Sequence, residues 1–146
     1  MYLLDTNILS ASAPTRRDAD AEAQALAAWM RAHSDRLYLS AITIAEIEAG
    51  IARAIRIGAS AKAPALRRWL AAVEHFYASR ILSFGIDEAR QAGAILDRAR
   101  AHDPGFEDIA IAATAAAHGL TVLTANERHF APLGVPYANP LKGLPA

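Results

Sequence analysis

The run Tyr2 to Leu4 is wholly apolar and stops at Asp5-Thr6-Asn7. A strand without polar alternation has no face to offer water, so this one predicts a central strand of a parallel sheet, covered on both sides. Further strands are expected at residues 37–40, 81–84 and 120–123, with a weaker fifth at 135–137. Helical periodicity fills the gaps. Leu26, Trp29 and Met30 form the apolar stripe of a helix over 18–33. Ile44, Ile47, Ile51 and Ala54 or Ile55 do so over 43–57, and Trp69, Leu70, Val73 and Phe76 over 66–77. Ala89, Ala92, Ile95 and Leu96 are expected to face inward on a helix over 87–102. A small-residue helix over 107–118 ends at Gly119, a natural stop, and its alanines let it approach the sheet closely. The last residues, with Pro140 and Pro145, read as a tail. Strands alternating with helices require right-handed crossovers. The expected fold class is therefore α/β, a three-layer α/β/α sandwich with a central, mostly parallel sheet of four to five strands. Its 146 residues, 53% of them hydrophobic, suit one domain over 1–146.

Charge narrows the classes of function. Lys plus Arg is 15 and Asp plus Glu is 15, for a formal net charge of zero. A chain that held a polyanion through its overall field would be basic, so this one needs local charge, a metal or a partner to do so. The absence of cysteine excludes disulfides, zinc thiolates and a thiol nucleophile. Asp5 interrupts any signal-peptide pattern, and no stretch is apolar enough to span a bilayer, so the expected location is cytoplasmic, with no membrane contact.

Asp5, Glu46 and Asp108 fall at the carboxyl end of an expected strand or at the start of the helix beyond it. Each has an ordinary reading. Asp5 is a good N-cap for the segment from Thr6. Thr43-Ile44-Ala45-Glu46 fits a capping box. Asp108 and Glu107 sit in a first helical turn, where the helix dipole favours acids. Their shared location gives the second reading, because ligands bind at that edge of an open α/β sheet. A polar cluster, Thr124-Ala125-Asn126-Glu127, follows the fourth strand there. Carboxylates held together favour a cation, and oxygen ligands without His or Cys favour Mg²⁺ or Mn²⁺. Such an ion lowers the pKa of a bound water and offsets charge growing on a phosphodiester.

Four blocks then stand in order: Leu3 to Ser10, Ser40 to Gly50, Asp108 to Ala115, and Leu123 to Phe130. Together they resemble the signature blocks of PIN domains, nearest to the VapC- and FitB-like toxins of type II toxin–antitoxin pairs. The resemblance runs nearly the whole chain. It implies a PIN-like fold and Mg²⁺- or Mn²⁺-dependent endoribonuclease activity, with RNA phosphodiester bonds hydrolysed by metal-activated water. It also implies a homodimer and a cognate antitoxin protein, through which alone operator DNA is met. Asp5, Glu46 and Asp108 match the family's catalytic and metal-binding acids, with Thr6, Asn7, Thr124 and Asn126 supporting them. Many members carry a fourth acid where this chain has Asn126, which weakens the site of a second ion; Thr6 and Glu127 are the candidates to support it.

No acid lies between Gly50 and Val73, while Arg53, Arg56, Lys62, Arg67 and Arg68 do. Arg53 and Arg56 are candidates to steer RNA phosphates, against an ordinary solvated face. Trp69, Phe76 and Tyr77 could stack bases, but an aromatic stripe is more often core or dimer interface. The five histidines lack metal-ligand spacing and receive no catalytic role. Arg16 and Arg17 lie in a loop near Asp5, without an assigned role. Asn126 motivates an alternative, a catalytically weak or inactive PIN-fold module acting through protein or RNA partners. A phosphotransfer domain centred on Asp5 ranks last, because Lys62 and Lys142 are the only lysines and neither is well placed.

Overall fold

The computed structural model describes residues 1–14 and 20–146, so Arg16, Arg17 and the expected helix start at Asp18 lie outside the described residues. Strands β1 (Tyr2–Leu4), β2 (Leu37–Ser40), β3 (Ile81–Leu82), β4 (Thr121–Leu123) and β5 (Tyr137–Ala138) form one sheet in the order β3-β2-β1-β4-β5. Every pairing is parallel. The chain leaves β1 toward one edge of the sheet and returns to β4 on the other side of β1. The carboxyl ends of β1 and β4 therefore flank the point where the winding reverses, which is where open α/β sheets bind ligands.

Alternation along the central strands separates two cores. Leu4, Leu123, Leu37 and Leu39 pack with α1 (Thr6–Ser10), α2 (Ala21–Ala32), α3 (Ala41–Arg56) and α4 (Ala63–Phe76). Leu3 and Val122 pack on the opposite face with α5 (Ile86–Arg98), α6 (Phe106–His118) and α7 (Glu127–Phe130). The outcome is the three-layer sandwich expected from the alternating pattern. Ile109 to Ala113 and Ala115 on α6 are fully buried, the close approach that small side chains allow. Gly119, at φ 64°, ends this helix, and the Leu120 N–H donates back to the Ala115 carbonyl.

Several element boundaries differ from the sequence expectation. The helix that carries Glu46 starts at Ala41, capped by Ser40, whose hydroxyl accepts from the Ile42 N–H at 3.1 Å. Thr43 is thus inside the helix and fully buried, so the Thr43–Glu46 capping box does not form. On α5 the buried residues are Glu88, Ala92 and Ile95; Ala89 and Leu96 are exposed. Alanine suits either face of a helix, and the inward place at 88 is held by an acid because its carboxylate accepts from His118 at 2.8 Å and from the Gly85 N–H at 2.9 Å. Strand β5 forms two residues later than its apolar pattern suggested. The C-terminal segment is no loose tail: Leu141 packs on the core and the Trp29 indole donates to the Pro145 carbonyl at 2.9 Å.

Candidate active site

Asp5 leaves β1 at the sheet edge, with only 4% of its surface exposed. One carboxylate oxygen accepts from the Thr6 N–H at 2.8 Å, which caps α1. The other accepts from the Thr124 hydroxyl at 2.7 Å and the Asn7 amide at 2.8 Å. Asn7 in turn accepts from the Ala125 N–H at 3.2 Å, and Thr124 accepts from the Asn126 N–H at 2.9 Å. This network fastens the loop after β1 to the loop after β4, and it fixes the rotamer of Asp5. Capping and presentation at the site are thus compatible roles for one carboxylate.

Glu46 lies on the second turn of α3, and its Oε1 accepts from the Thr6 hydroxyl at 2.7 Å. Thr6 also lies 3.2 Å from the Thr43 hydroxyl. Asp108 is in the first turn of α6, half-buried, with its Oδ2 3.1 Å from His129 Nδ1. Three elements remote in sequence thus deliver the three expected acids to one region.

Their charges act on one another. Burial holds the Asp5 carboxyl above its ordinary 3.8, the Asp108 charge raises it further, and the bonds from Thr124, Thr6 and Asn7 only partly offset this. Burial also lifts Glu46 above its ordinary 4.5, the Thr6 bond opposes it, and the charges of Asp5, Asp108 and Glu107 add to the rise. Among the described residues, no group of three or more Asp, Glu or His side chains already stands close enough together to hold a metal ion. Asp108 has His129 as its basic neighbour, and no Lys or Arg pairs with any of the three acids among the described residues. The donors are all oxygens, from carboxylates and hydroxyls.

The supporting residues divide. Thr6, Asn7 and Thr124 hold the acids, as expected. Asn126 is exposed; its backbone meets Thr124, and its side chain has no hydrogen-bond partner among the described residues. Glu127 turns to Lys142 and Asn139 in the C-terminal segment, so it does not support the site. Arg53 and Arg56 are exposed in the last turns of α3, and Arg67 lies 3.7 Å from Glu48, which partly neutralises the expected positive rim.

Sequence reasoning missed two contributions. Glu107 adds a fourth negative charge felt at Glu46, so the acidity is not limited to the fourth position that Asn126 fills. On the Asp108 flank, a cavity of about 340 Å³ is lined by His102, Arg128 and His129 together with Asp103 and Asp108, a mixed-charge lining assembled from two segments far apart in the chain. The only signal for it was the Arg128-His129 pair closing the last block.

The PIN domain family model matches residues 2–134, and the chain belongs to the PIN domain family. Its relatives carry more particular names. Plasmid stability protein StbB of Pseudomonas syringae pv. tomato is 36% identical over 146 residues, 96% of this chain and 98% of the relative. VapC ribonuclease Y4jK of Sinorhizobium fredii is 34% identical over 143 residues, 96% of this chain and 97% of the relative. Among solved structures, FitAcB from Neisseria gonorrhoeae superposes with a TM-score of 0.80 at 33% identity, covering 96% of this chain and 98% of that one. A toxin–antitoxin complex from Klebsiella pneumoniae superposes with a TM-score of 0.60 at 25% identity, covering 96% and 98%.

Proposed function

We propose that this protein is a divalent-cation-dependent endoribonuclease and the toxin of a VapBC-like toxin–antitoxin module. The observation that carries this reading is the convergence of Asp5, Glu46 and Asp108: burial first, and then the charges of their acidic neighbours, raise the proton affinity of Asp5 and Glu46, with no Lys or Arg among the described residues paired to them. A hard cation relieves such crowding, and an oxygen-only donor set suits Mg²⁺ or Mn²⁺. The names of the relatives, a ribonuclease and a plasmid stability protein, and the toxin–antitoxin neighbour support the substrate class and the biological setting.

Asp5, Asp108 and Glu46 would hold the ion. When bound, the ion supplies an acidified water and offsets charge on the phosphodiester. The protein's own part is positional. Thr124, Asn7 and the Thr6 N–H fix Asp5; Thr6 fixes Glu46; His129 fixes Asp108. Glu46, held by Thr6, would add its charge to those of Asp5 and Asp108 around the ion. Arg128 and His102 line the Asp108 flank, where they can meet a neighbouring RNA phosphate. Arg53 and Arg56 lie further out as steering charges. A cognate antitoxin, with operator DNA reached through it, and a homodimer complete the proposed assembly.

The test is digestion of single-stranded RNA with Mg²⁺ or Mn²⁺, followed by mapping of the ends. Asp108→Asn is expected to lower cleavage by at least about 10²-fold, the scale for removing a group that stabilises developing charge. Equal cleavage by both proteins contradicts the assignment. The exposed Asn126, in the position where many relatives of this fold carry a fourth acid, favours a second reading as an inactive binding module; metal-independent RNA binding without cleavage would select it.

A further inference from the structure

A cavity of about 440 Å³ opens beside the acids, within the range of small-ligand pockets. Thr6 and Glu46 form one wall, so it is continuous with the candidate site. Trp69 and Leu66 of α4 and Gly50 of α3 line it too. Trp69 is half-buried, and its indole N–H has no hydrogen-bond partner among the described residues. Gly50 follows Glu46 by one helical turn and leaves open space where a side chain would be. Arg53 follows on the same stripe.

We propose that this cavity is a nucleobase subsite, which takes one unpaired base of the RNA next to the scissile phosphate. The proposal rests on the nuclease reading and deepens it. Continuity with the acids means that a strand whose phosphodiester lies among them places a neighbouring nucleotide here. Charge then selects which part of that nucleotide enters. A phosphate is repelled by Glu46, whereas a neutral planar base stacks on an aromatic face. Glu46 Oε1 is engaged by Thr6, which leaves its other oxygen to the ion and the reading of the base to the indole. The indole N–H can donate to a base carbonyl. The two flanks of the site thus differ in kind: aromatic and acidic beside Glu46, of mixed charge and without an aromatic ring other than imidazole beside Asp108.

Cleavage of an RNA pool randomised around the cut tests this. Trp69→Ala and Gly50→Leu are each expected to raise KM about tenfold, to erase the preference at one flanking nucleotide and to leave kcat at saturation nearly unchanged, while Trp69→Phe retains the preference. Gly50→Leu fills the cavity at a position where leucine is the better helix former, so loss of fold does not explain its effect. An RNA with one abasic residue at the flanking position should cost the wild type the same factor, with no further loss in Trp69→Ala. If Trp69→Ala harms intact and abasic RNA equally, or if Gly50→Leu cleaves with unchanged preference, the subsite does not exist. If Gly50→Leu instead disturbs only neutralisation by the antitoxin, the cavity belongs to the protein partner and the proposal is overturned. If the wild type does not cleave RNA, the nuclease reading has failed, and indole quenching decides the subsite separately. Quenching by a single-stranded oligonucleotide, lost in its abasic form and in Trp69→Phe, supports it; equal quenching by both forms overturns it.

Discussion

At the scale of single residues, the site holds negative charge at a cost in stability. Asp5 and Glu46 have folded-state proton affinities above the ordinary values of 3.8 and 4.5, so they stabilise the fold when protonated. That contribution is complete below those values and is lost as pH rises through the raised folded values. In metal-free protein, Glu46→Gln keeps an acceptor for Thr6 and removes the charge. Its melting temperature at neutral pH should equal or exceed that of the wild type, with the difference closing as pH falls toward 4.5. A difference that grows on acidification contradicts this. Saturating Mg²⁺ should stabilise the wild type by about 2.7 kcal/mol at a hundredfold excess over Kd, and the Gln variant by less. Thr124→Val tests the other side of the network. It removes the donor at 2.7 Å to Asp5 and leaves the Asn126 N–H without its acceptor, so it should cost about 1–3 kcal/mol in denaturant unfolding. These acids were legible in the sequence because each stands at a strand-to-helix junction. The bonds that hold them were not, since Thr124 and Asp5 are separated by 119 positions and no local pattern encodes their meeting.

At the scale of elements, the start of α3 decides what Glu46 is for. Thr43 to Glu46 satisfies a capping pattern in sequence, but Ser40 closes β2 and caps the helix first, one turn earlier. That places Glu46 on the second turn, free to face Thr6. Ser40→Ala should therefore lower stability by about 1 kcal/mol in chemical denaturation. Retention of full stability would return the cap to Thr43. The junction between α5 and the last strand makes a second test. Gly134 has φ 72°, and a Cβ there would lie 2.6 Å from Arg98 Nε, whose guanidinium donates to the Leu133 carbonyl at 2.8 Å. Gly134→Ala should cost more than about 1 kcal/mol, measured the same way. Helix periodicity located every long helix among the described residues but misassigned Phe76, Ala89 and Leu96, which are exposed. In an alanine-rich helix the apolar stripe is blurred, and the burial of Glu88 depends on His118, thirty positions away.

At the scale of the molecule, function follows from winding. The order β3-β2-β1-β4-β5 brings the loops after β1 and β4 side by side, and α3 and α6 then bring their first turns to the same edge. The sequence showed the alternation of strands and helices, and hence the layers. It could not show the two flanking cavities, because each is lined by side chains from separate segments. No helix among the described residues is long and apolar enough to cross a membrane. The central claim is that carboxylates from β1, α3 and α6 hold one divalent ion for RNA cleavage. Calorimetric titration of Mn²⁺ into wild-type protein and into Asp108→Asn, with unchanged circular dichroism as the check on folding, tests it most directly. The account predicts saturable binding to the wild type and its loss in the variant. No binding to the wild type at millimolar Mn²⁺, or identical isotherms for the two proteins, would contradict it.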